Sequence, residues 1–180
     1  MVSRGAPSRV ELCVESLHPT GVVSRLEASI DRLRELEAAG HVDEFDLVVW
    51  GDRVGIRSGV AGTDAAERVR ERVNACMEWA EEHGRSLRPV FDVCETDNAF
   101  TGESHTAIDL PSMLLVEYED ETVSHVAPSS DGTSTRSVTD RLQALAAEPG
   151  SRSRASPGAP TSESDGPGDV RDDRRLERRP

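Results

Sequence analysis

The sequence predicts an α/β (α+β) protein in which helices pack on a mixed β-sheet, followed by a disordered C-terminal tail. Segments with the two-residue period of strands alternate with segments of helical period between residues 8 and 147, in the order β-α-β-α-β-β-β-α. Hydrophobic residues make up 36% of the chain and aromatic residues only 3%, which indicates a modest, mostly aliphatic core. The composition changes sharply at Pro149, where we expect the folded part to end.

The first half of the pattern is a strand, a helix and a second strand. Apolar and polar residues alternate over Arg9–Glu15, which predicts a half-buried strand. An S-x-x-E capping box from Ser24 to Glu27 begins an amphipathic helix, and Gly40 ends it. The second strand, Phe45–Trp50, is more continuously apolar, so we expect it to be the more central strand of the sheet.

The second half starts with a glycine-punctuated loop over residues 51–62, which leads into a helix over residues 64–84. A third strand is predicted over residues 87–94. A hairpin with an acidic turn follows at residues 113–127, and a short last helix runs over residues 135–147. This order favours a two-layer α/β sandwich.

The tail, residues 149–180, is rich in Pro, Gly, Ser and Arg, and its only large aliphatic residues are Val170 and Leu176. It buries too little apolar surface to offset the entropy cost of ordering it. We therefore predict a flexible N-terminus over residues 1–7, a single α/β domain over residues 8–148, and a disordered tail.

The predicted folded part of the chain has a large excess of acidic over basic residues. The formal net charge is −13 at pH 7, lysine is absent, and the tail is close to neutral, which leaves −14 on residues 1–148. Such a surface repels itself in dilute buffer and is relieved by concentrated salt, because the Debye length falls to about 3 Å at 1 M. This balance predicts the cytoplasm of a halophile that accumulates salt. A GC-rich genome explains arginine in place of lysine but not the acid excess.

The compartment is predicted to be the cytoplasm. No apolar run approaches the roughly 18 residues of a membrane helix, and Met1–Pro7 does not have the pattern of a signal peptide. Cys13, Cys76 and Cys94 are widely spaced, so we expect buried thiols rather than disulfides. No membrane partner is expected.

The residues that would indicate catalysis are not arranged in any known motif. The histidines fall at no zinc-site spacing, and no G-x-S-x-G elbow is present. The loop that contains Cys94 and His105 offers acidic metal ligands, but a solvated acidic loop explains the same residues better. We therefore predict no catalytic residue, no cofactor and no metal site, and a protein that is not an enzyme.

The first helix and the residues after it have a cadence, L-x-x-L-x-x-x-G-x-V from Leu33 to Val42, that is common where a recognition helix leads into a wing. Any amphipathic helix capped by glycine before a strand produces the same cadence. The predicted outward faces present acids, Asp31 and Glu35 on the first helix and Glu67 and Glu71 on the second. These faces disfavour direct reading of DNA by either helix, because phosphate contact requires basic residues.

Several short motifs between residues 8 and 147 suggest a family. They are Val10-Glu11-Leu12, Leu33-Arg34-Glu35-Leu36-Glu37, Val49-Trp50-Gly51, Thr101-Gly102-Glu103-Ser104, Leu110-Pro111, Glu117-Tyr118 and Val126-Ala127-Pro128-Ser129-Ser130-Asp131-Gly132. On these residues the chain resembles a family of small haloarchaeal proteins described as helix-turn-helix (HTH) domain proteins. The resemblance implies a role in transcription regulation and brings with it no ligand, substrate or catalytic residue.

Two functional hypotheses follow, a transcription-associated regulatory protein and an α/β module that binds a protein partner or small ligand without any nucleic-acid role. For the first, DNA contact is expected from arginines, namely Arg25, Arg32, Arg53, Arg57 and the tail residues Arg171, Arg174, Arg175, Arg178 and Arg179. For the second, the candidate site is a loop whose residues are Thr101, Gly102, Glu103, Ser104 and His105.

Overall fold

The computed structural model describes residues 7–17, 23–56, 63–97 and 104–148, and it confirms a mixed β-sheet with helices packed on it. The predicted tail and most of the predicted flexible N-terminus lie outside the described residues, so both stay predictions. The helices are α1 (Val23–Ala39), α2 (Asp64–Glu82) and α3 (Val138–Ala147). The strands are β1 (Arg9–Val14), β2 (Glu44–Val49), β3 (Arg53–Gly55), β4 (Asp92–Asp97), β5 (Ser104–Asp109), β6 (Met113–Glu119), β7 (Thr122–Ala127), β8 (Ser129–Ser130) and β9 (Thr135–Arg136).

The main sheet has four strands in the order β2-β1-β6-β7. β1 and β2 are parallel and are joined through α1, whereas the other neighbours are antiparallel. The expectation that β2 is central is wrong, because β1 and β6 occupy the middle and β2 is an edge strand. Its apolar residues are partly solvent-facing: Leu47 and Val49 are 39% and 53% exposed.

A second, three-stranded sheet has the order β3-β5-β4 and is antiparallel. Its first strand, β3, lies within the segment predicted as a loop, and Val54 pairs there with Ile108. The third predicted strand begins later than expected, at Asp92, because the Phe91 amide donates to the Leu87 carbonyl and closes a turn. A short β8–β9 hairpin follows β7.

Both faces of the main sheet are covered, so the molecule has three layers rather than the two expected. Val10, Leu12 and Val14 of β1 pack in one core with α1 and α3. Cys13, on the opposite face, packs in a second core that includes the buried side of α2 and Val54 of β3. β1 is therefore fully buried rather than half-buried, and every residue from Val10 to Val14 is at most 3% exposed.

Two buried arginine–glutamate pairs attach helices to the central strands, one on each face. On the α2 face, Arg72 donates to Glu11 of β1. On the α3 face, Arg141 donates through Nη2 to Glu117 of β6 at 2.7 Å, and its Nη1 reaches Glu148 at 2.8 Å. Since both glutamates are at most 3% exposed, each arginine supplies the positive charge that a buried carboxylate requires.

The helix ends follow local chemistry. α1 ends as predicted at Gly40, whose φ of 77° favours glycine. α3 begins with a capping box in which Ser137 Oγ accepts from the Asp140 amide and the Asp140 carboxylate accepts from the Ser137 amide. Met77 of α2 is 38% exposed. No helix in the described ranges is both long and apolar enough to cross a lipid bilayer.

Candidate functional site

A groove lies where the end of β2 and strand β3 meet the first half of α2. Its volume is about 500 Å³, and we call it the β3–α2 groove. Its apolar surface comes from Val48 and Val49 of β2, Trp50, Val54 of β3 and Val69 of α2. Val49 leaves part of this surface open to solvent.

Three arginines line this groove, and no Asp or Glu is among its described lining residues. Arg53 donates through Nε to Asp109 at 2.7 Å, in an ion pair that is roughly half exposed. Arg72 is engaged by buried Glu11. Arg68 is exposed, and its guanidinium has no hydrogen bond or ion pair to the described part of the chain. The positive charge available to a ligand is therefore centred on Arg68.

Helical spacing and burial explain why these arginines face β3. Val69 and Val73 are buried, so α2 turns that stripe inward. Arg68 and Arg72, four residues apart, lie on one flank of the stripe. Arg70 Nη1 donates to the Gly55 carbonyl at 3.2 Å, which ties α2 to β3. Arg68 and Arg72 were not predicted from the sequence, although their i, i+4 spacing beside a valine stripe was visible.

Glu11 lies beneath the groove and holds Arg72 in place. Its carboxylate accepts from Arg72 Nε at 2.8 Å, from Arg72 Nη2 at 3.2 Å and from the Tyr118 hydroxyl at 3.0 Å, and Arg9 lies 3.5 Å away. Burial opposes ionisation of this carboxyl, but the two arginines and the tyrosine outweigh it and hold the pKa of Glu11 below its ordinary value. Glu11 is therefore a fixed negative charge that orients Arg72.

Arg25 and Arg32, also predicted as DNA contacts, are not brought together with Arg53. They line a different groove, of about 720 Å³, between α1 and α3, which we call the α1–α3 groove. It lies on the opposite face of the main sheet from α2. Arg32 pairs with Glu35 at 2.6 Å, whereas Arg25 is exposed and its side chain has no partner in the described ranges.

The predicted ligand loop is only partly visible. Thr101, Gly102 and Glu103 lie outside the described residues, as does the DNA-contact candidate Arg57. Ser104 and His105 belong to strand β5 rather than to a loop, and they pair with Asp97 and Thr96 of β4. The loop is shorter than expected because the β4–β5 ladder extends into it.

The outward faces of α1 and α2 are acidic, as the sequence predicted. Asp31, Glu35, Glu67 and Glu71 are all exposed. Within the described ranges, no helix directly follows another: β2 and β3 separate α1 from α2, and strands β4 to β9 separate α2 from α3. The cadence at the end of α1 accordingly leads into a strand, β2, and not through a short turn into a second helix.

The chain was compared with protein families, curated proteins and solved structures. One family, described as "Helix-turn-helix domain", matches residues 2–150, which include all of the described fold. Neither the search of curated proteins nor the search of solved structures gave a match. The match to the family spans most of the chain, and this protein therefore belongs to the helix-turn-helix domain family.

Proposed function

We propose that this chain is a non-catalytic, cytoplasmic regulatory protein associated with transcription, and that it contacts nucleic-acid phosphates through the β3–α2 groove. Membership of a helix-turn-helix family supports the association with transcription. The observation that carries the proposed contact is the lining of the groove. Its described lining residues include three arginines and no acid, in a chain whose net charge is −13.

The physical argument rests on where a polyanion is least repelled. Acidic residues cover the outward faces of α1 and α2, so a helix laid in the major groove places carboxylates beside phosphates. The β3–α2 groove instead presents Arg68 without a carboxylate partner among the described residues, together with Arg53 in an exposed pair. Exposed ion pairs contribute only about 0–1 kcal/mol, so a phosphate competes readily for Arg53. Arg72 is held by Glu11 and serves to shape the wall of the groove.

The test is the salt dependence of binding to a short DNA duplex, measured by fluorescence anisotropy on the full chain. Circular dichroism at each salt concentration verifies that the chain is folded. Each phosphate neutralised contributes about −0.9 to the slope of log affinity against log salt. Arg68→Ala is therefore expected to reduce the magnitude of the slope by about 0.9 and to weaken binding to all sequences alike.

The matched control is Arg34→Ala, which removes the same charge from an exposed site on α1 where Arg34 pairs with Asp31. A second variant, in which the five arginines from Arg171 to Arg179 become serine, measures the contribution of the tail. The proposal is supported when Arg68→Ala changes the slope and Arg34→Ala does not. Equal effects of both substitutions, or binding lost only in the tail variant, contradict contact through the groove.

The alternative function, a module that binds a small ligand or protein partner without nucleic acid, is favoured by one observation. The α1–α3 groove is larger than the β3–α2 groove and is also lined by arginines with no acid among its described lining residues. A chain that binds no duplex at any salt concentration, yet binds a ligand in that groove, has this second function.

A further inference from the structure

The α1–α3 groove has the size and chemical character of a small-molecule site. Its volume of about 720 Å³ falls within the roughly 300–1,000 Å³ of ligand pockets. An apolar part comes from Met113 at the start of β6 and from Val138 and Leu142 of α3. Val138 and Leu142 are 5% and 3% exposed, so only a small part of each faces the groove, and the partly buried Met113 is the most accessible of the three.

The polar part of the lining consists of hydrogen-bonding groups that suit an anion. Hydroxyl side chains surround the apolar surface, at Ser24, Ser29, Ser112 and Thr139, whereas the Ser137 hydroxyl is already donated to Asp140. Gln143 adds an amide. No Asp or Glu is among the described lining residues, although acids outnumber bases by 34 to 21 in the chain. The groove is thus a local exception to the charge of the molecule.

Two arginines provide the positive charge. Arg25 and Arg32 are seven residues apart on α1, which is about two turns or roughly 10 Å along the helix, so both face the same side. Arg25 is the more available cation, because its guanidinium has no partner among the described residues. Arg32 already binds a carboxylate, Glu35, in an exposed pair spaced i, i+3, and exposed pairs of this kind are weak enough for a ligand anion to compete with them.

The N-terminus of α3 is not the anion-binding element, although it borders the groove. The Ser137 hydroxyl accepts from the Asp140 amide, and the Asp140 carboxylate accepts from the Ser137 hydroxyl and amide, so a negative charge already lies at this helix end. The argument therefore depends on the arginine side chains and on the cavity, and not on the helix end.

We propose that the α1–α3 groove binds a small organic anion, whose carboxylate or phosphate group is held by Arg25 with support from Arg32 and whose apolar body packs on Met113, Val138 and Leu142. This site lies on the opposite face of the main sheet from α2 and does not depend on nucleic-acid binding. A helix-turn-helix family protein with such a groove can respond to a metabolite. The ligands expected at this site share two features, an anionic group and a compact apolar group beside it.

The experiment is a titration of the ¹⁵N-labelled full chain with three small probes that share a phenyl ring. Binding is monitored through the amide chemical shifts. Phenyl phosphate and benzoate test the two anions, and benzyl alcohol is the neutral control. Fragments of this size bind with dissociation constants of about 1 mM, so concentrations up to about 10 mM saturate the site. We expect at least one anion to shift the amides of residues 24–32 and 137–143, and benzyl alcohol to leave them unchanged. The anion that binds more tightly identifies the acid group.

Two substitutions and one control test the role of the arginines. Arg25→Ala is expected to weaken anion binding about tenfold, because a charge-assisted hydrogen bond contributes roughly 1.5–3 kcal/mol. Ala28→Glu places a carboxylate in the groove at an exposed position that keeps a helix-forming residue, and it should weaken binding at least as much. Arg34→Ala, on the same helix but outside the groove, should change the affinity less than twofold, as expected for surface substitutions of about 0.5 kcal/mol or less.

Three outcomes overturn the proposal: no amide shifts with either anion, shifts of the same size with benzyl alcohol, or an equal loss in Arg34→Ala and Arg25→Ala. The outcome of this anion titration does not depend on the DNA-binding assay. A chain that binds the anion but no duplex disproves the nucleic-acid proposal alone, and a chain that binds duplex but no anion disproves this one alone.

Discussion

Replacing Arg72 by methionine tests whether the buried pair with Glu11 holds α2 on the sheet. The substitution keeps an unbranched apolar side chain that packs along the same path, but it removes the guanidinium. Glu11 is 3% exposed and loses two hydrogen bonds, of 2.8 and 3.2 Å, from its main counter-ion.

The expected cost is set by what remains around Glu11. Breaking one side of a buried ion pair costs about 3–5 kcal/mol. The Tyr118 hydroxyl at 3.0 Å and Arg9 at 3.5 Å still face the carboxylate, so the lower end of that range applies. A loss of about 3 kcal/mol lowers the melting midpoint of a domain of this size by roughly 10 °C. Thermal and urea unfolding followed by circular dichroism measure both quantities.

The double variant Glu11→Gln with Arg72→Met separates the loss of charge from the loss of packing. The glutamine still accepts the Tyr118 hydroxyl but does not leave a buried negative charge. We therefore expect the double variant to be more stable than Arg72→Met alone, with a coupling energy of about 1–2 kcal/mol.

The pH dependence supplies a second check. In the wild type the pKa of Glu11 is lowered: burial raises it, but the bonds from Arg72 and Tyr118 and the charge of Arg9 outweigh that effect. The stabilisation is therefore present above the ordinary glutamate pKa and is lost as pH falls through the folded value. In Arg72→Met burial dominates and raises this pKa, so the difference in stability from wild type should shrink between pH 7 and pH 4. A cost below about 1 kcal/mol, strict additivity in the double variant, or a difference that grows at low pH refutes this reasoning.

Three further predictions concern salt, the tail and DNA. Because residues 1–148 have a net charge of −14, the melting midpoint should rise between about 0.1 M and 3 M KCl, and an unchanged or lower midpoint is incompatible with a halophilic origin. Deleting residues 150–180 removes only two large aliphatic residues and should leave the midpoint within a few degrees of wild type; a loss of several kcal/mol shows that the tail packs on the domain. Residues 8–147 alone should select no sequence from random duplexes at about 2 M KCl, where the electrostatic term has largely gone. If one motif is enriched, and the double variant Arg25→Ala with Arg32→Ala abolishes that enrichment, this prediction is wrong.

The sequence was most informative about the helices, because their signals are local. The apolar spacing of α1 and the glycine after it both lie within a few residues of the feature they determine, although α1 begins at Val23, so Ser24 is inside the helix and is not its predicted cap. The order of the strands could not be read in the same way. β1 pairs with β6, which is distant in sequence. No residue near β2 indicates that β2 is an edge strand within the described fold.

The buried glutamates show why only part of the candidate site could be predicted from the sequence. Alternation around Glu11 predicted a solvent-facing residue, because acids in strands usually face water. The structure buries it against Arg72, which is 61 residues away in sequence. Glu117 and Arg141 repeat the arrangement at a separation of 24 residues. Only the packing of a helix on each face reveals such a pair, and the arginine groove beside Arg72 is a consequence of the same packing.

The pairing of β1 with β6 has a consequence for synthesis of the chain on the ribosome. Val14, at the end of β1, pairs with Met113, and Arg9 pairs with Tyr118, so about a hundred residues separate the partners of the two central strands. At a translation rate of about 5–20 residues per second, β1 waits roughly 5–20 s for its second neighbour to emerge. During that interval α1, β2 and α2 are made and can pack on β1, but its second edge has no partner and α3 has not yet been made. The sheet is therefore completed late in synthesis, by a contact that closes a loop of about a hundred residues and forms slowly for that reason.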